Sequence, residues 1–245
     1  MAKQNYQKII RVILLFLSVG FGLSAYAQTI APIQVKGKWG YHNVETKKVL
    51  ISNLDQALPF TNGIALAQKN GLWGGLNSEL QHVIPFKYDK LDYISPFYLN
   101  AQKNKNHYLL DNVGNKVVND AFSDAALLSG TTDTFVVADQ NGKYGILTSD
   151  GEFLIQPKFA TPPQTLDIPN LLIFHRKNQN SYFAGAVDLN GDVVVPFEYL
   201  FIQAYGVHGV KATRLNGHTS YFDKKGSLIY ENKSKGHVFI DESYV

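Results

Sequence analysis

The chain has 245 residues and a formal net charge of +3, from 23 Lys and Arg against 20 Asp and Glu. Its 45% apolar content is that of a folded globular protein and excludes wholesale disorder. With no cysteine, the chain has no disulfide scaffold, no Cys-ligated zinc site, no thiol nucleophile and no lipidated Cys anchor.

Residues 1–27 read as a secretory signal. Lys3, Lys8 and Arg11 form a positive n-region, and Val12 to Leu23 is a short apolar run. Ser24-Ala25-Tyr26-Ala27 supplies an A-x-A cleavage site before Gln28. A bilayer span needs about 20 apolar residues, and this run is shorter. The expectation is a cleaved signal, no membrane span in the mature chain, and export to the periplasm or the cell exterior. The alternative is an uncleaved anchor stretched from Val12 to Ala27. Residues 1–27 hold three bases and no acid, so residues 28–245 carry 20 bases against 20 acids. A chain without net positive charge has no electrostatic footprint for nucleic acid. Lys103 and Lys105 in an Asn-rich stretch, and Lys224-Lys225 in a turn, read as solvated turn residues.

From residue 33 onward one phrase recurs. It appears as Lys36-Gly37-Lys38-Trp39-Gly40-Tyr41, Asn70-Gly71-Leu72-Trp73-Gly74-Gly75 and Asn141-Gly142-Lys143-Tyr144-Gly145-Ile146. A turn Gly often follows six residues later. An apolar run ending in Pro and an aromatic comes next: Ile84-Pro85-Phe86-Lys87-Tyr88, Ile155-Gln156-Pro157-Lys158-Phe159 and Val195-Pro196-Phe197-Glu198-Tyr199. The same frame fits degenerate copies at Tyr108, Gly185 and Ser220. Anchors at 40, 74, 108, 145, 185 and 220 define about six units.

Each unit has the grammar of short strands. Ile64 to Ala67, Leu72 to Leu76, His82 to Phe86 and Lys90 to Ile94 are apolar runs separated by turn residues. Asn70-Gly71, Asn141-Gly142, Asn190-Gly191 and Asn216-Gly217 read as type I′ hairpins, which need positive φ at both central residues. No helical period runs through the mature chain. The expectation is all-β, with three to four strands per unit. Trp39, Trp73 and Tyr144 bring a large apolar face to a fixed place, and Gly40, Gly74 and Gly145 permit a close approach or a bulge. Pro85 and Pro196 point to edge strands or strand ends, since Pro cannot donate to a ladder. One unit cannot bury its own apolar face, whereas stacked neighbours can.

The K/N-G-x-W/Y-G phrase, followed by D/N-x-x-G and I/V-P-x-K/E-Y/F, resembles the WG-repeat (KWG-repeat) family of bacteria. The resemblance covers roughly residues 33–245 and is carried by Trp39-Gly40, Trp73-Gly74 and Tyr144-Gly145. It is weak in the third, fifth and sixth units, where the aromatic is missing or displaced. It implies an exported β-rich repeat protein with an interaction role and no shared catalytic residues. The units are expected to close radially, β-propeller-like, with Val238 to Ile240 completing the first blade. The alternative is an open β-solenoid array.

The remaining residue types carry little chemistry. Asp188-Leu189-Asn190-Gly191-Asp192 places oxygens at i, i+2 and i+4, as a calcium loop does. It lacks the Gly at position six and the Glu at position twelve, and reads as a turn. The seven His form no ligand spacing, and no nucleophile elbow or P-loop appears. Asp89 and Asp92 could form a carboxylate pair but read as solvent-side strand residues. No catalytic residue, cofactor or metal is expected.

Loop insertions are the better leads, because insertions in repeat arrays collect on a binding face. One lies at 129–134, with Thr131 and Asp133, and one at 161–170, with Pro162 and Pro163. The expected function is non-catalytic protein binding at the cell envelope. A glycan binder using exposed Tyr98, Tyr182 or Tyr205, and a hydrolase with acids converging on a channel, are the alternatives.

Overall fold

The computed structural model describes residues 29–178 and 181–233. The signal segment and the expected closing strand at Val238 to Ile240 lie outside the described residues. All regular structure among the described residues is β. Six antiparallel sheets follow one another along the chain.

The first sheet holds β1 (Ile30–Val35), β2 (Lys38–Asn43) and β3 (Val49–Leu54). The second holds β4 (Gln56–Thr61), β5 (Ile64–Lys69), β6 (Leu72–Asn77) and β7 (His82–Tyr88). The third holds β8 (Lys90–Tyr93), β9 (Tyr98–Lys103) and β10 (Asn106–Asp111). The fourth holds β11 (Asp124–Leu127), β12 (Thr134–Ala138), β13 (Tyr144–Thr148) and β14 (Phe153–Phe159). The fifth holds β15 (Gln164–Thr165), β16 (Leu171–Asn178), β17 (Ser181–Asp188) and β18 (Val193–Tyr199). The sixth holds β19 (Phe201–Tyr205), β20 (Gly209–Thr213), β21 (Thr219–Asp223) and β22 (Leu228–Asn232). The short run at Lys90 to Ile94, read as the last strand of a unit, is instead the leading strand of the next sheet. Only Asp89 separates it from β7.

The core is a series of seams between successive sheets. Tyr41 and Leu54 of the first sheet pack on Phe60, Ala65 and Leu76 of the second. Leu66, Ile84 and Tyr88 then meet Leu91, Leu99 and Leu110. Leu109 and Phe122 meet Phe135 and Leu147. Ile146, Ile155 and Phe159 meet Leu172, Phe174 and Val187. Tyr199 and Val195 meet Ile202, Val210 and Phe222. The architecture is therefore propeller-like: blade-like meanders stacked face to face, each burying the apolar face of its neighbour. Among the described residues no cluster joins the sixth sheet to the first.

Hydrogen bonds cross the same seams. Tyr41 Oη donates to the Leu58 carbonyl at 2.7 Å and Tyr93 Oη to the Ile64 carbonyl at 2.9 Å. Burial pushes Tyr93 up to about 12, opposed by a hydrogen bond with Thr61. An unfolded tyrosine titrates near 10, so the unfolded chain releases this proton first as pH rises. Stability is then full below about pH 10 and falls between about 10 and 12. Tyr93→Phe is expected to flatten that alkaline slope and to cost about 1 kcal/mol at neutral pH. Urea titrations at pH 8 and 11 check both. An unchanged slope contradicts the assignment.

The WG phrase follows from one device. On β6 and β7, Trp73 pairs with Tyr88 and Gly75 with Ile84, so two steps along β6 match four along β7. The same two-to-four shift recurs between Tyr144↔Phe159 and Ile146↔Ile155, and between Ala184↔Tyr199 and Ala186↔Val195. In these three sheets the last strand bulges across its neighbour there, and Pro85, Pro157 and Pro196 sit in the bulge; above Gly40 the shift is two steps against three. Such a bulge leaves backbone donors out of the ladder, so Pro is accommodated. The Gly lies beneath the crossing. A Cβ on Gly145 would stand 2.4 Å from the Ile155 carbonyl oxygen, and one on Gly185 2.7 Å from the Phe197 ring. Where the anchor is not Gly the crossing degrades. At Tyr108 only the isolated bridges His107↔Phe122 and Leu110↔Lys116 remain. At Ser220 the crossing is absent, and Thr219↔Asn232, Ser220↔Glu231 and Tyr221↔Tyr230 pair in plain register. The fifth unit, expected to be weak for want of an aromatic, has the full crossing because Gly185 is present.

The aromatics of the motif divide into two sets. Trp39, Trp73 and Tyr144 are half-buried, and the buried rings of the motif are Tyr88, Phe159 and Tyr199. Of the four Asn-Gly pairs, only Asn70-Gly71 has positive φ at both residues (53° and 78°). At 141–142, 190–191 and 216–217 the Gly alone is left-handed. There the residue three before the Gly, Asp139, Asp188 or Arg214, accepts the Gly amide. These are type I turns followed by a left-handed Gly, one residue longer than I′.

A candidate interaction cleft on one rim

Strand alternation sorts the connections onto two rims. One rim carries the Asn70-Gly71 type of hairpin and the links between sheets. The other carries the turns after β6, β10, β13, β17 and β21, together with the loops after β11 and β15. Both expected insertions reach this second rim.

The first insertion is a closed loop. Leu128 N donates to the Thr134 carbonyl at 2.8 Å, and Thr131 Oγ1 to the Leu128 carbonyl at 2.8 Å. Thr131 thus sets the loop conformation, while Asp133 is exposed and accepts from the Thr134 hydroxyl. The second insertion is anchored by Ile168, buried in the seam between the fifth and sixth sheets. Pro162 is exposed and Pro163 half-buried at the link leading into β15. Thr161 Oγ1 is buried with no hydrogen-bond partner among the described residues.

The two loops meet over a cleft of about 510 Å³, bordered by Leu128, Thr131, Leu166, Asp167, Leu172 and Leu189. Thr131 lines it; Asp133, Pro162 and Pro163 do not. A second depression of about 630 Å³ shares Pro169, Asn170 and Leu189 with it and runs on to Asp188, Lys224 and Lys225. The result is one trough crossing three units. Leu189, Lys224 and Lys225 were not legible as site residues, since each looks like an ordinary turn residue in its own unit.

The turns that border the trough are built alike. Asp188 Oδ1 accepts the Asn190 and Asp192 amides, both at 2.9 Å, and its Oδ2 faces the Asn190 side-chain amide. Asp223 Oδ1 accepts the Lys225 and Ser227 amides at 2.9 and 2.7 Å. The calcium-loop spacing at Asp188 is thus a side-chain-capped turn. Among the described residues no three His, Asp or Glu side chains gather as a metal would require.

Several other polar groups are engaged within the fold. Asp89 accepts the Asn104 amide at 2.8 Å and Asp92 pairs with Lys90 at 2.8 Å, so they form no carboxylate dyad. Asp55 is held below the usual carboxylate range by Lys38 at 2.6 Å and by the Gly71 amide. Arg214 ion-pairs with Glu198, and with Glu231 at 2.9 Å, and its guanidinium lies 4.6 Å from the Tyr199 ring centre. Of the three rings considered for glycan stacking, Tyr98 packs edge-on against Phe135 and Tyr205 against Tyr221, each at 5.0 Å. Tyr182 is exposed, and the three stand on different sheets.

Among curated proteins none matches the sequence. Solved structures with a similar trace include a eukaryotic initiation factor, at 12% identity and TM-score 0.40, covering 83% of this chain and 62% of that one. BamB from Moraxella catarrhalis follows at 13% identity and TM-score 0.32, with 86% and 75% covered. The WD40 β-propeller domain of Doa1 has 13% identity and TM-score 0.29, with 80% and 75% covered. The WG-containing-repeat family matches residues 39–73, from the first Trp of the phrase to the second. Those residues span one full period of the unit that the six sheets repeat, and there the chain carries a WG-containing repeat.

Proposed function

We propose that the chain is a non-catalytic interaction scaffold, exported to the cell envelope, that holds another protein on the rim bearing the two insertions. One observation carries this reading: the loops at 128–131 and 165–172, which hold the same place in successive units, converge on one apolar cleft. Binding surfaces on repeat arrays collect on loops held by a regular scaffold. The export signal at residues 1–27 supports an envelope location. Among the described residues the carboxylates and His that an enzyme would need are engaged in turns and ion pairs or stand apart. The near balance of charge argues against nucleic acid as the partner.

Photo-cross-linking in cells tests it. A photoreactive residue replaces Thr131 or Leu189 on the cleft rim, or Lys105 on the opposite rim, in the tagged full chain. One protein captured in near-stoichiometric amount from positions 131 and 189, and not from 105, is the expected result. No protein captured from any position, with the chain recovered in the cell-wall fraction, overturns the reading in favour of glycan.

A further inference from the structure

We infer that the trough takes an extended peptide segment carrying an aliphatic side chain next to acidic ones. This deepens the scaffold reading and rests on it. The trough has two chemically distinct ends. The end near the first insertion is floored by Leu128, Leu166, Leu172 and Leu189 and suits an aliphatic side chain. The other end is bordered by Lys224 and Lys225.

Charge decides the ligand. Lys224 and Lys225 are exposed, and neither has a carboxylate within 4 Å among the described residues, where the ion pairs fall on Lys38, Lys90, Arg214 and Lys233. Asp188 borders the same end and, like Asp223, keeps its charge, but neither carboxylate pairs with either lysine among the described residues. Asp223 and Asp188 turn their carboxylates onto the amides of their own turns. The two ammonium groups are therefore the groups at this end left to pair with a ligand. At the leucine end stands Asp167, which repels an acidic group placed there. The trough thus imposes a direction on its ligand, with acidic residues toward the lysines and the aliphatic residue over the leucines. An open trough spanning three units fits an extended chain, whose backbone amides can meet the loop carbonyls along its length.

The test is selection of random twelve-residue peptides displayed on phage against the protein purified from expression of the full chain. The expected consensus pairs an aliphatic residue with Asp or Glu. A synthetic peptide of that consensus should bind at least tenfold more weakly to Lys224→Glu/Lys225→Glu, and should weaken as salt rises. Because both lysines are exposed turn residues, the double variant should keep its circular dichroism. Selection against that variant should yield basic in place of acidic residues, a result that a misfolded protein cannot give. Peptides without acidic residues, binding equal in the two proteins, or no enrichment at all overturn this inference. The scaffold reading falls separately, on cross-linking that captures no protein from either rim.

Discussion

Gly145→Ala is expected to destabilise the protein by about 3 kcal/mol, because the new methyl has nowhere to go without moving backbone. Its Cβ would lie 2.4 Å from the Ile155 carbonyl oxygen and 2.7 Å from the Pro157 nitrogen. Both neighbours belong to the crossing strand β14, pinned by the Ile146↔Ile155 and Tyr144↔Phe159 pairs. A flexible side chain could yield there; two peptide groups cannot. For a chain of this size the expected fall in Tm is roughly 6–12 °C. Gly142→Ala, three residues away, is the control. Its φ is 69° but nothing lies within 4 Å of the added methyl. It should cost about 1 kcal/mol, and so roughly 2–4 °C. Equal shifts for the two variants in a thermal melt would refute the crossing as the reason for the Gly.

Phe174→Ala carries the largest expected packing loss, about 3–5 kcal/mol. Phe174 is wholly buried, and its ring stacks on Phe159 with centres 3.9 Å apart and planes 18° from parallel. That pair joins the fourth sheet to the fifth. In an array held by nearest-neighbour seams, weakening one seam uncouples what lies on either side. Amides of β16, β17, β20 and β21 should therefore exchange hydrogen faster, while those of β5, β6 and β9 stay near their original rates. Uniform acceleration across all six sheets would contradict sequential coupling.

Much of the fold was legible because its determinants are local. The six anchors at 40, 74, 108, 145, 185 and 220 fall on β2, β6, β10, β13, β17 and β21, the corresponding strand of each sheet, since Gly, turn and Pro-aromatic stand at short fixed spacings. The relative weight of Trp and Gly was not legible. Both recur together in three copies, and only the fifth unit separates them, where Ala184-Gly185 forms the full crossing without the ring. Turn type was missed at 141, 190 and 216 because an Asn-Gly pair looks the same in either turn. What decides is the residue three before the Gly and its capture of that amide. The insertions at 129–134 and 161–170 were readable as extra length. Their cleft was not, since its border is completed by Leu189, on a later turn of the fifth unit, and its continuation by Lys224 and Lys225 of the sixth.

The turn glycines on the cleft rim carry one more consequence. Gly114, Gly151 and Gly226 sit with positive φ directly on the carbonyls of Val83, Val117 and Val194, each in the unit before. Each turn is thus a key cut to the preceding unit's lock, and its distance from its own anchor is held at six residues. Added length is accommodated before the anchor, never between anchor and key. New loops can therefore lengthen the walls of the trough while its pitch stays constant. A protein built this way can change what it grips without changing the ruler along which it grips.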